Sequence, residues 1–363
     1  MNIALLGFGV VGKGVYDIIT SDFPSWKIKY VLEKDPVKMK EIKSIATQSF
    51  EDIMKDKEID LVIELIGGKT IAYQMIKIAL KHKKHVVTAN KAVMSEYYQE
   101  LTELAKENKV SLLYEASVGG AIVVLNPLFK MAEYNKLNQI EGIINGSTNF
   151  VLSSIFLKNK SLVEALQEAQ ELGYIETGST DDMDGFDLLR KINILSMISY
   201  HTYINESDIE RVPLSSITNE FITYVKDNDL AMKYIASSSK KDNQISIHLE
   251  PVIIAKDDFY NQIHFEENVI SIFGTYHKKQ SFIGQGAGRY PTASAVINDL
   301  LLIESKEERR HQFKEYVRVI NDDVYRFLVQ IGTDFTIVDN HTFKEVKEMN
   351  DMVCFARISG DVL

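Results

Sequence analysis

Four aspartates, Asp181, Asp182, Asp184 and Asp187, fall within seven residues of the stretch GSTDDMDGFDLLRK (178 to 191). Carboxylates so close to a cation can hold a metal, exchange a proton with a substrate, or form a solvated ion pair. A calcium loop needs oxygen ligands at positions 1, 3 and 5, glycine at 6 and a bidentate glutamate at 12. With Gly185 at position 6, Asp182 and Asp184 fit, but position 1 becomes Thr180 and position 12 becomes Lys191. A lysine in place of the closing carboxylate excludes that loop. What remains is Asp187 and Lys191 one helical turn apart, with Glu176 eleven residues before Asp187. On a solvated helix such a pair is worth only ~0.3 to 0.5 kcal/mol, so spacing alone leaves both the ion pair and the proton-transfer pair open.

A second set of residues suits an anion. Gly7, Gly9 and Gly12 in GFGVVG, with Val10 and Val11 between them, lie where an apolar strand gives way to a helical pattern. Glycines there permit a tight turn and close backbone approach, so the pyrophosphate of a dinucleotide can rest on the helix N-terminus. The acidic residue expected ~20 positions later is Glu33, which would hold a ribose 2′-hydroxyl and favour NAD. Its neighbour Lys34 would instead attract the 2′-phosphate of NADP, and the choice stays open. Thr88, Ala89, Asn90 and Lys91 follow the strand-like HVV. They therefore stand at a strand's C-terminal end, where doubly wound sheets bind ligands.

Elements must position these groups. NIALLG, KIKYVLE, LVIELIG, KHVVTAN and VSLLYEAS read as strands, separated by GKGVYDIITS, IAYQMIKIALKHK and SEYYQELTELAKEN with apolar residues at helical spacing. The alternation predicts a parallel sheet with crossover helices. Beyond residue 120 the helical LVEALQEAQELG and DLLRKINILSMISYH precede extended runs such as QISIHLEPVIIA and VISIFGTYHKKQSFIG. The fold class expected is therefore α/β, with an N-terminal Rossmann-type dinucleotide-binding domain and a mixed α+β substrate and dimerisation domain. A chain of 363 residues exceeds the size of a usual single core, which also suggests two domains.

Composition narrows the function. A net charge of −10 argues against general affinity for nucleic acid or an anionic membrane. A lone cysteine, Cys354, excludes an internal disulfide framework and fits a reducing compartment. The N-terminus has no basic stretch ahead of its apolar run, and no apolar run approaches the ~18 residues of a bilayer span. A cytoplasmic protein is expected, with a small-molecule substrate and no nucleic-acid or membrane partner.

Eight blocks occur in the order found in homoserine dehydrogenases: GFGVVGKG, VIELIGG (62 to 68), TANK (88 to 91), YEASVGGAI (114 to 122), GIINGSTNFVL (142 to 152), LGYIE (172 to 176), DGFDLLRK (184 to 191) and GQGAGRYPTASAV (284 to 296). The chain resembles that family from residue 1 to about 303. The resemblance implies an NAD- or NADP-dependent interconversion of L-homoserine and L-aspartate 4-semialdehyde, serving threonine and methionine biosynthesis, by a homodimer. It further implies Lys191 as the catalytic lysine that exchanges a proton with the substrate oxygen, with Asp187 beside it. Glu176, Asp182 and Lys91 would bind substrate, and Lys91 would also lie near the cofactor with Thr88, Asn90, Ser117, Gly173 and Gly286. A sodium ion would be held by Glu115, through side chain or carbonyl, and by backbone oxygens of Val118, Gly120 and Ile122.

The domains expected are 1–120 for the dinucleotide, with 284–303 packing back on it, 121–283 for substrate and dimerisation, and 304–363 as a short divergent tail, a reduced form of an ACT-like regulatory region. Two departures stand out. Relatives usually read Glu-x-Asp-Pro where this chain has Glu176, Thr177, Gly178, Ser179, which predicts a more mobile segment and weaker substrate affinity. Ala121 and Val123 replace a usual glycine and proline beside the ion positions. The first departure, at Gly178 and Ser179, motivates the alternative of a nucleotide-binding relative with lost or altered catalysis, acting as a sensor or on another small amino-acid alcohol.

Overall fold

A computed structural model describes residues 1–175, 180–306, 315–360 and 362. The chain divides into two compact units, one formed by Met1–Lys130 with Ala287–Phe313 and the other by Met131–Gly286 with Lys314–Leu363.

The first unit is built on a parallel sheet. Its strands are β1 (Asn2–Leu6), β2 (Lys27–Leu32), β3 (Ala46–Thr47), β4 (Leu61–Glu64), β5 (His85–Thr88) and β6 (Leu112–Leu113), in the order β3-β2-β1-β4-β5-β6. Ile3 to Leu6 and Leu61 to Glu64 are buried without a break, as expected where crossover helices cover both faces. Only β3 escapes the sequence reading, because two residues carry no period. The order reverses between β1 and β4, and the ligand crevice of such sheets opens at that reversal. The helix Val10–Asp22 leaves β1 at this point, and the late helix Arg289–Ser305 packs along it. Their approach is close: a Cβ on Gly14 would sit 2.9 Å from the carbonyl oxygen of Arg289. Arg289 also pairs with Asp17 across the same contact.

The second unit carries a mixed sheet. Its strands are β7 (Leu137–Ile143), β8 (Thr202–Tyr203), β9 (Glu210–Arg211), β10 (Ala231–Lys241), β11 (Gln244–Ile254), β12 (Glu267–Gly274), β13 (Lys278–Gln285), β14 (Glu315–Tyr316), β15 (Tyr325–Ile331), β16 (Asp334–His341) and β17 (Met352–Ile358). The main sheet runs β13-β12-β7-β10-β11-β17-β15-β16, with β9 alongside β11 and β8 paired apart with β14. The terminal strands thus extend the same sheet: β17 joins β11 in parallel, Val252 opposite Arg357. A buried ion pair reinforces this join, Arg357 Nε donating to Glu250 Oε1 at 2.5 Å. The helices Gly146–Leu157 and Phe186–Tyr200 both lie against β10. Among the described residues no helix is long and apolar enough to cross a membrane.

Candidate functional site

The first unit offers a backbone-made anion cradle. Gly7 adopts φ +95°, and a Cβ there would lie 2.7 Å from the Leu65 carbonyl oxygen. A Cβ on Gly12 would come within 2.2 Å of the Gly7 carbonyl oxygen, so both positions need glycine for space. Gly9 is different, since nothing lies within 4 Å of where its Cβ would be. The turn is therefore folded tightly on the sheet side and open at Gly9, where the helix Val10–Asp22 presents its first N–H groups. Val10 is 69% exposed at that end. A pyrophosphate fits this arrangement on the grounds of open space, unpaired amides and helix dipole.

Glu33, at the end of β2, is turned inward. Oε2 accepts from the Phe8 amide at 3.1 Å, and Oε1 accepts from the amides of Lys34 at 2.8 Å and Asp35 at 3.1 Å. Burial opposes its charge, but these three donors, with Lys38 nearby, hold the carboxyl below its ordinary range. Glu33 thus fastens the glycine turn to β2, while Lys34 stands exposed beside it.

At the ends of β4 and β5 the side chains are bound to one another. The Thr88 hydroxyl donates to Glu64 Oε2 at 2.6 Å and accepts from the Asn90 amide at 3.0 Å. Asn90 caps the helix Lys91–Glu96 through Val93 N and reaches the Gly68 carbonyl with its amide nitrogen. Glu64 is fully buried, and that burial raises its carboxyl above the usual range against the pull of the Thr88 and backbone donors. The network sets the place of Lys91, the first and half-buried residue of its helix. Glu64 carried no signal in the sequence beyond its place in VIELIGG.

The second unit holds the acid and lysine groups. Asp187 and Lys191 lie on the first turns of the helix Phe186–Tyr200, 6% and 8% exposed. Lys191 Nζ stands 2.8 Å from Asp187 Oδ2 and donates to the Ile144 carbonyl at 2.7 Å. This is no solvated surface pair, since two buried charges demand partners. Asn145 completes the cluster: its side-chain nitrogen donates to Asp182 Oδ1 at 2.7 Å and to Asp187 Oδ2 at 2.8 Å. Burial, and next the like charge of Asp187, push the Asp182 carboxyl up, while donors from Asn145 and Ser147 and the charge of Lys191 oppose the shift. The turn into the helix is equally specific. Gly185 sits at φ +82°, and a Cβ there would meet the Tyr234 hydroxyl at 2.2 Å.

Other expected residues fall elsewhere. Glu176, with Gly178 and Ser179, lies outside the described residues. Gly173 adopts φ +78°, with nothing within 4 Å of its Cβ position. Gly286 is packed so closely on Asn268 that a Cβ would come 2.1 Å from its amide nitrogen. Ser117 is buried with its hydroxyl on the Tyr114 carbonyl at 2.6 Å. The Glu115 carboxylate accepts from the amides of Val124 at 2.7 Å, Leu125 at 2.6 Å and Asn126 at 2.9 Å. Its side chain is spent capping the helix that begins at Leu125, which disfavours the side-chain ligand expected for sodium. Among the described residues no group of three or more histidine, cysteine, aspartate or glutamate side chains could hold a metal ion. Asn145 and Ser147 went unassigned in the sequence, although GIINGSTNFVL contains both.

A glycine turn at the switch point of a parallel sheet, on a chain that also buries an acid and lysine cluster, defines a dinucleotide-dependent oxidoreductase. Comparison with known proteins narrows the class. A family model described as homoserine dehydrogenase matches residues 124–301, and one described as its NAD binding domain matches residues 7–115. The homoserine dehydrogenase of Bacillus subtilis is 34% identical over 314 residues, which is 84% of this chain and 72% of that protein. A solved homoserine dehydrogenase from S. aureus superposes with TM-score 0.80 at 27% identity, covering 99% of each chain. One from Thiobacillus denitrificans, 23% identical, shares the fold with TM-score 0.88 over 100% of this chain and 99% of that one. The chain belongs to the homoserine dehydrogenase family. It is an oxidoreductase with an NAD-binding domain, acting on homoserine.

Proposed function

We propose that Lys191 is the proton-transfer group and that Asp187 and Asp182 hold the substrate for it. The observation that carries this reading is the buried Lys191, with two acceptors in place at Asp187 and Ile144. An ammonium has three donors, so a third N–H remains to be directed at a substrate oxygen. In the reductive direction Lys191 protonates the carbonyl oxygen of aspartate semialdehyde as it becomes an alkoxide. In the oxidative direction the same nitrogen, deprotonated, takes the proton of the homoserine hydroxyl. A nicotinamide bound at the glycine turn would be the hydride donor or acceptor. The carboxylates of Asp182 and Asp187, with Glu176, would pair with the α-ammonium of the amino acid.

The dinucleotide would lie on the turn formed by Gly7, Gly9, Val10, Val11 and Gly12, with Thr88, Asn90 and Ser117 of the same unit contributing to its binding. The inward turn of Glu33 and the exposure of Lys34 support acceptance of a 2′-phosphate, hence NADP beside NAD. A sodium ion, if bound, would rest on the backbone oxygens of Glu115, Val118, Gly120 and Ile122. The reading includes a homodimer in the cytoplasm.

Steady-state rates with homoserine and each of NAD and NADP, followed at 340 nm for the wild type and Lys191→Ala, test it. Turnover by the wild type and its collapse in the variant are expected. Equal inertness of both proteins, with cofactor still bound, would instead make this chain a nucleotide-binding relative without catalysis.

A further inference from the structure

We propose that Asn145 is a positioning residue, whose one side-chain amide bridges Asp182 and Asp187 and so sets the spacing of the two carboxylates that receive the substrate's ammonium. The inference rests on the reading of the acid and lysine cluster given above, and it assigns the residue that assembles it.

Three features carry it. The orientation of the amide is settled by chemistry: Oδ1 accepts from the Thr148 backbone N–H at 2.7 Å, and an N–H can only donate. The nitrogen therefore faces the carboxylates, at 2.7 Å from Asp182 Oδ1 and 2.8 Å from Asp187 Oδ2. Both hydrogens of the amide are thereby used. Next, the bridge couples segments far apart in sequence. Asn145 caps the helix Gly146–Leu157, Asp182 lies in the turn ahead of the next acid, and Asp187 in turn holds Lys191 at 2.8 Å. Two residues on, the Ser147 hydroxyl donates to the Tyr174 carbonyl at 2.7 Å, which fastens the segment leading to Glu176. Finally, the bridge is neutral and 4% exposed. Two like charges at close range repel, and a cation between them would quench the charge that a substrate ammonium needs. A neutral amide eases that repulsion without adding a second cation to the Lys191 ammonium already at Asp187.

Helix capping and carboxylate bridging can be separated by substitution. Asn145→Ala removes both. Asn145→Ser keeps a good N-cap but is too short to bridge. Asn145→Asp keeps the cap and puts a third carboxylate where the donor was. Thermal melting should show Asn145→Ser recovering most of the stability lost in Asn145→Ala. Its KM for homoserine should nevertheless stay raised roughly tenfold to a hundredfold, the usual worth of a hydrogen bond to a charged group. The acid limb of its kcat/KM profile should move to higher pH, and that of Asn145→Asp further still. A serine variant with wild-type KM and pH profile would overturn the proposal and leave Asn145 as a helix cap only.

A second readout separates this inference from the functional one. In the 13C-labelled protein, the carboxyl titration of Asp182 should move to higher pH in Asn145→Ser. Should the wild type fail to oxidise homoserine, the functional reading falls, yet this titration still decides the bridge. An unmoved titration refutes it.

Discussion

The two units make their sites by opposite means. The glycine turn of the first unit works through backbone: Gly7 and Gly12 are needed because a Cβ would strike a carbonyl oxygen, and Gly9 because space must stay open. The acid and lysine cluster of the second works through side chains from three separate segments, at 145, 182 and 187 to 191. A backbone site is set by local geometry and tolerates many flanking residues. A side-chain site depends on each hydrogen bond, and burial makes every unpaired partner costly.

The contrast is sharpest if one residue of the cluster removes chemistry without unfolding the chain. Lys191→Ala should lower kcat by about 10²- to 10⁴-fold, the range for a lost proton-transfer group, while nucleotide binding to the first unit persists by fluorescence titration. Loss of both together would mean that the two sites are not separable.

Within the glycine turn, Gly12→Ala and Gly9→Ala should behave differently. A methyl 2.2 Å from the Gly7 carbonyl oxygen must displace backbone, so Gly12→Ala should destabilise by about 1 to 3 kcal/mol. Gly9→Ala should leave the melting temperature nearly unchanged and weaken nucleotide binding only. Equal melting temperatures for the two variants would break the claim that the turn is sterically closed at one glycine and open at the other.

Burial has its own signature in the second unit. Lys233 is buried, and its Nζ donates to Asn149 Oδ1 at 2.9 Å and to the Ile263 carbonyl at 2.6 Å. Desolvation lowers its pKa to about 8, with Glu267 pulling weakly the other way. Because the folded value lies below the unfolded 10.5, the unfolded chain binds the extra proton between the two. Stability should therefore rise from pH 8 to 10.5, by on the order of 2 kcal/mol relative to Lys233→Met. Parallel denaturation curves for the two proteins across that window would contradict it.

The smallest effect concerns Asp182. Its raised carboxyl titration means that the charged form is penalised in the fold. That cost is present at neutral pH and disappears as the pH falls through the folded value. Asp182→Asn should raise the melting temperature by roughly 2 °C at pH 7, with no gain in acid, and should raise KM for homoserine. A gain of stability with unchanged KM would place the substrate elsewhere.

Legibility followed the same division. GFGVVG, the strand periods and the helix after β1 could be read because turn, pleat and helix are local, and β3 was missed because two residues carry no pattern. Asp187 and Lys191 were visible as a pair at i, i+4, but that spacing left a solvated ion pair open, and only burial and the Ile144 carbonyl removed that option. Glu33 was found as the acid at the end of β2, yet its inward turn onto Phe8, Lys34 and Asp35 had no sequence signal. Glu115 stood out beside the glycines that follow it, and that its carboxylate caps the helix beginning at Leu125 had no sequence signal. In each case the residue type was plain and its partner was not.

By itself, then, the sequence determined the elements, the dinucleotide turn and the family's chemical groups, since these rest on local conformation and on residue identity. The tertiary structure decided which donor meets which carboxylate, how deeply Lys191 is buried and that Asn145 joins two acids 37 and 42 residues away. Such contacts depend on the packing of distant segments on β10, and no period or spacing along the chain encodes that distance.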